Sequence, residues 1–85
     1  MLELKYSITD TNGIHARPAG LLVKEAGNFS CNITLKANGK EADAKKIFSV
    51  MSLGVKCKDE ITLHFDGDDE AEAYSKMQKF LTDNL

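Results

Sequence analysis

The chain has 85 residues, enough for one domain with one modest core. Its 42% hydrophobic content suits an ordinary globular protein, and a net charge of −2 argues against a dedicated nucleic-acid binder. No apolar run approaches the roughly 18 residues that cross a bilayer, and the start "MLELKYSITD" alternates instead of forming the apolar centre of a signal peptide. The expected location is the cytosol. Cys31 and Cys57 are too few and too far apart for a zinc site or a redox pair, so both are expected to be reduced and structural.

Leu2, Leu4, Tyr6 and Ile8 alternate with Glu3, Lys5 and Ser7, the period of a half-buried strand. "DTNG" breaks it. From Ala16 the period changes: Ala19, Leu22, Val23 and Ala26 share one helical face, and Gly27 and Asn28 can end the helix. Cys31, Ile33 and Leu35 mark a second strand. Asn38-Gly39 is a strong hairpin signal, and "KEAD" reads as a short, charged return strand at a sheet edge.

"KKIFSVMSLG" reads as a short helix ending at Gly54. Ile61, Leu63 and Phe65 give the last strand, and Tyr74, Met77 and Leu81 the buried face of a last helix. The acids of "DGDD" between them are expected to cap that helix rather than to bind calcium, whose loop spacing they lack. The order βαββαβα, with a hairpin and few helices, predicts one α+β domain over residues 1–85: an antiparallel sheet with helices on one side. Thr34, Lys36, Thr62 and His64 should face water on the other. His64 is expected to have no catalytic or metal role.

The stretch "NGIHARPAG" carries the chemistry. If a helix begins at Ala16, His15 holds the cap position, where serine, threonine, aspartate and asparagine do better. Such a local mismatch hints at function. Pro18 tolerates the first turn, and the free N–H groups of Ala16 and Arg17 form an anion site at a helix N-terminus. Arg17 adds donors matched to phosphate oxygens. The helix dipole disfavours imidazolium, so His15 should titrate below about 6.5 and keep a lone pair for attack on phosphorus. The plain alternative is an exposed turn histidine beside a solvated arginine.

"GIHARPAG" resembles the active-site motif of the HPr family, the histidine phosphocarriers of the bacterial sugar phosphotransferase system. "NGK" (Asn38 to Lys40) and "VMSLGVK" (Val50 to Lys56) match the same family in register, so the resemblance covers nearly the whole chain. It implies an open-faced β-sandwich of four antiparallel strands with three helices on one face. It implies that His15 accepts a phosphoryl group on Nδ1 from phosphorylated enzyme I, assisted by Arg17, and passes it to sugar-specific IIA proteins or domains. The chain would then be a cytoplasmic, monomeric carrier rather than a complete enzyme, without cofactor, metal, nucleic acid or membrane insertion.

One position departs from the pattern. Where HPr proteins of low-GC Gram-positive bacteria carry a regulatory serine, this chain has Lys46, so serine-kinase control is not expected. Ser49 and Ser52 are out of register. In the second helix, Ile47, Phe48, Val50, Met51 and Leu53 cannot all face one sheet. Phe48 and Met51 are therefore either core filling or an exposed partner patch. The resemblance places that helix beside the histidine, with Ile47, Phe48 and Met51 toward partners. Lys24 would add charge, and Gly20 would keep the surface low. A second reading is an HPr-like regulatory binding module, and a third a domain of a larger assembly.

Overall fold

The computed structural model describes residues 1–14 and 16–85. In chain order they form β1 (Leu2–Ser7), α1 (Ala16–Ala26), β2 (Asn32–Ala37), β3 (Lys40–Asp43), α2 (Ile47–Met51), β4 (Glu60–Asp66) and α3 (Glu70–Asn84). The four strands make one sheet in the order β1-β4-β2-β3, antiparallel throughout.

The alternation decides the faces. Leu4, Ile33, Leu35, Ile61, Leu63 and Phe65 are buried on one side of the sheet, in register across Leu4↔Leu63 and Leu35↔Leu63. Leu22 of α1, Val50 of α2 and Ala73, Met77 and Leu81 of α3 are buried in the same core. Each large apolar side chain so buried contributes about 1.5–3 kcal/mol. The Tyr74 ring meets Phe65 edge-on at 5.8 Å, fixing α3 over β4. Thr34, Lys36, Thr62 and His64 stand half-exposed on the open face. There His64 Nε2 lies 3.3 Å from a Glu3 carboxylate across the β1–β4 ladder.

Two expectations need correction. The second helix starts later and ends earlier than the stretch "KKIFSVMSLG" read as helical. Asp43 takes the Lys45 N–H on Oδ1 at 2.9 Å and the Lys46 N–H on its carbonyl at 3.0 Å. That turn holds Lys46 extended at φ −123, ψ 113, and the helix is confined to Ile47–Met51. The acid expected to cap α3 also does something else. Asp69 occupies the N-cap position but makes no side-chain cap bond. Its carboxylate instead accepts the N–H groups of Ser30 and Cys31 at 2.8 and 2.9 Å, tying the start of β2 to the β4–α3 turn. Glu70 and Glu72 complement the first turn of α3 by charge.

Candidate functional site

The segment before α1 is fixed from two sides. At its start, Ile8 donates to the Asp59 carbonyl at 3.0 Å and accepts from the Lys58 N–H at 2.8 Å. Thr9 Oγ1 and the Asp10 N–H both donate to the Leu85 carbonyl, at 2.7 and 2.9 Å. Asp10 then folds the chain back, its Oδ1 accepting the Asn12 N–H at 2.8 Å and its carbonyl the Gly13 N–H at 3.0 Å. Gly13 has φ +65, and a Cβ there would sit 2.4 Å from the Val55 oxygen and 2.7 Å from the Lys56 Cα. Only glycine fits both the conformation and the approach. Ile14 is buried and donates to the Val55 carbonyl at 3.1 Å.

His15 lies outside the described residues. The expectations that it caps α1, that its pKa is lowered, and that nearby N–H groups point to its ring fall there too. Its two neighbours in the chain are described. Ile14 is anchored on Val55, and Ala16 is the first residue of α1.

Ala16 and Arg17 are exposed in the first turn of an 11-residue helix, and Pro18 is buried behind them. A first-turn N–H has no acceptor within its own helix, and Pro18 has no N–H to leave unmet. No acidic residue occupies that turn, so no carboxylate of the helix competes for the positive end. Arg17 lines an open cleft with Asp10, Pro18, Leu21 and Asn84. Among the described residues it has no carboxylate within ion-pair distance.

The expected partner residues fall on α1 and α2, which pack together. A Cβ at Gly20 would lie 3.7 Å from Ile47 Cδ1, so the missing side chain lets the two helices approach closely. Ile47 is half-buried against the core, while Phe48 is 85% exposed and Met51 40%. Of the two readings of this helix, the structure supports the exposed patch. Leu21, 41% exposed, adds an apolar residue the helical pattern did not single out. Lys24 is exposed in the last turn of α1, about two turns from Arg17. Lys46 is exposed just before α2 with no side-chain cap bond.

Two supports escaped the sequence reading because both depend on contacts distant in the chain. One is the Val55–Lys56 backbone beneath Gly13. The other is Asn38, whose side-chain amide donates to the Leu53 carbonyl at 3.0 Å and so ties the hairpin to the turn after α2. The Asn-Gly dipeptide signals the turn but not this second bond. Cys31 and Cys57 are both free thiols. Burial, followed by the neighbouring Asp69 carboxylate, pushes the Cys31 thiol up to about 11, which makes it a poor nucleophile. Among the described residues no cluster of three His, Cys, Asp or Glu side chains is placed to hold a metal ion.

Comparison with known proteins defines the class. The family profile "PTS HPr component phosphorylation site" matches residues 2–83. The chain is 42% identical to the phosphocarrier protein HPr of Mycoplasma capricolum subsp. capricolum over 98% of this chain and 93% of that one. A solved histidine-containing phosphocarrier protein of Mycoplasma superposes with a TM-score of 0.93 at 41% identity, covering 96% of this chain and 93% of that chain. A third relative is the catabolite repression containing protein Crh of Bacillus subtilis, solved as a swapped, intertwined dimer. It superposes with a TM-score of 0.77 at 36% identity, covering 100% of this chain and 98% of that one. The chain belongs to the HPr family, the phosphocarriers of the phosphotransferase system that serves sugar transport. Its four-stranded antiparallel sheet and three helices are the fold of those relatives. No helix is long and apolar enough to cross a membrane among the described residues.

Proposed function

We propose that His15 is the phosphoryl acceptor, taking the group from phosphorylated enzyme I and passing it to sugar-specific IIA proteins or domains. The Nδ1 lone pair attacks phosphorus, and the P–N bond forms as the bond between phosphorus and the donor breaks. The bonding electron pair leaves with the donor. The imidazole carries the resulting positive charge until the Nε2 proton passes to water. Transfer of this kind needs mainly positioning and charge stabilisation. Arg17 and the Ala16 N–H supply it by donating to the phosphoryl oxygens. The exposed Phe48 and Met51, with half-buried Ile47 beside them and with Gly20 and Lys24, receive the partners. The protein is a carrier, not an enzyme in its own right.

The observation that carries the reading is the acid-free first turn that places Ala16 and Arg17 directly after His15, within a chain matched to a phosphorylation-site family. Incubation with phosphoenolpyruvate and enzyme I should add one acid-labile phosphate, seen by mass spectrometry, to the wild type and none to His15→Ala. Equal labelling of the variant sinks the assignment. Lys46 offers no hydroxyl to a serine kinase, so ATP-dependent kinase should leave position 46 unmodified. The carrier acts as a cytoplasmic monomer in this reading. Sedimentation showing a stable dimer, as in the Bacillus subtilis relative, would replace the monomer with a swapped or paired form.

A further inference from the structure

We propose that Lys56 is a second cation of the transfer site and determines how well the acidic, phosphoryl-bearing donor engages the chain, a reading that rests on the assignment of His15 above. Its placement is set by backbone, not by its own side chain. The Lys56 Cα would lie 2.7 Å from a Cβ at Gly13, and the adjoining Val55 carbonyl holds the Ile14 N–H at 3.1 Å. Gly13 is two residues before His15, at most about 7 Å of extended chain. The Lys56 N–H is fastened to Asp59 Oδ2 at 2.9 Å, which fixes where the side chain leaves the backbone.

The side chain itself is exposed. Among the described residues no carboxylate lies within ion-pair distance of it. The two nearby acids each hold a backbone N–H: Asp10 that of Asn12, and Asp59 that of Lys56. An exposed ammonium beside the transfer loop adds to the positive charge that Arg17 and the first turn of α1 already place there. An anionic, phosphoryl-bearing donor is drawn toward this positive charge as it approaches.

The role differs from that of Arg17. A planar guanidinium in the first turn of α1 offers directed donors. A lysine on a flexible stem is a hydrated point charge, felt during approach and screened by salt. Lys56 therefore acts on engagement rather than on the chemical step.

The test is steady-state phosphorylation of the carrier by phosphorylated enzyme I at several salt concentrations, with Lys56→Gln, Lys56→Arg and Lys58→Gln. Lys58 is the control, an exposed neighbouring lysine whose backbone is bound to Ile8. We expect Lys56→Gln to raise KM about 3- to 10-fold at low salt, the direction expected for a rim charge, with kcat within about twofold and a shallower salt dependence. Lys56→Arg should restore KM, and Lys58→Gln should leave it near wild type. An unchanged KM in Lys56→Gln, an equal loss in Lys58→Gln, or a loss confined to kcat overturns the proposal. A wild type that takes no phosphate on His15 overturns the assignment and this inference together. A phosphorylated wild type with an unaffected Lys56→Gln overturns this inference alone.

Discussion

The side-chain amide of Asn38 stands 3.0 Å from the carbonyl oxygen of Leu53 and 3.4 Å from that of Gly54. The tip of the β2–β3 hairpin thus holds the turn that follows the five-residue helix carrying Phe48 and Met51. So short a helix cannot hold itself together. Its inward contact through Val50 and this bond from the hairpin keep the exposed patch in shape.

Asn38 has φ 54 and Gly39 φ 75, the left-handed pair of a tight hairpin. Asn38→Gly keeps the conformation and loses the bond, at a cost of about 1 kcal/mol. Asn38→Ala loses the bond and adds a left-handed penalty of about 1–2 kcal/mol. Urea unfolding should rank wild type above Asn38→Gly above Asn38→Ala. The reverse order of the two variants would remove the conformational argument.

Gly13→Ala should be among the most damaging single-methyl changes near the site. The added carbon meets the Val55 oxygen at 2.4 Å in a backbone that is already left-handed. The loop must shift away from Val55–Lys56, at a cost of at least about 1–2 kcal/mol. We expect a lower melting temperature and slower phosphorylation by enzyme I. Wild-type rates on a destabilised variant would show that the loop position does not matter for transfer.

Asp69 links folding to acid. Hydrogen bonds from the backbone N–H of Ser30, then of Cys31, hold its carboxyl below the usual aspartate range. A lowered folded value means that its contribution is complete above the unfolded pKa of about 3.9 and disappears as pH falls through the lower folded value. Asp69→Asn should melt below wild type by a constant margin from about pH 5 to 8, and the margin should close in more acid solution. A margin independent of pH down to acid unfolding would refute the carboxylate's role.

Phe48 and Met77 make a contrasting pair. Phe48→Ala removes an exposed ring and should change stability by no more than about 0.5 kcal/mol while weakening phosphotransfer with enzyme I or IIA. Met77→Ala empties a fully buried position and should cost about 2–5 kcal/mol. Calorimetry with transfer kinetics separates the two. A Phe48→Ala variant with full transfer activity would leave the patch without a partner role.

The strands were legible because alternation is a local signal. The charged return strand read from "KEAD" is Lys40–Asp43, and His64 stands on the open face where Leu63 and Phe65 put it. The first helix was legible from its period and its Gly27-Asn28 stop. Strand order was not, since nothing in β4 itself says that it lies between β1 and β2. The limits of α2 were misread because Asp43 organises the residues before it through its own side chain, holding Lys46 extended. Asp69 looked like a cap because its neighbours in sequence suggested one, whereas its bonds go to Ser30 and Cys31.

At the site, that Ala16 and Arg17 open an apolar-faced helix could be read from residue types and spacing alone. That the second helix had too many apolar residues was also readable. Which of them faced water was not, because five residues turn through little more than one revolution and the packing against Gly20 and the core chooses the face.

The pairing of Leu2 with Phe65 sets a timetable for the chain's birth. Strand β1 lies at the edge of the sheet and has β4 as its one strand neighbour. The first strand to leave the ribosome must therefore wait, unpaired, until nearly the whole chain has been made. Hairpin β2–β3 can close early, because Ala37 and Lys40 pair across a two-residue turn. Closing a loop as long as that between Leu2 and Phe65 comes late and slows folding relative to a chain of local contacts. A stop in synthesis before β4 emerges would leave the apolar side of β1 bare, and the nascent chain would be most prone to aggregate over that interval.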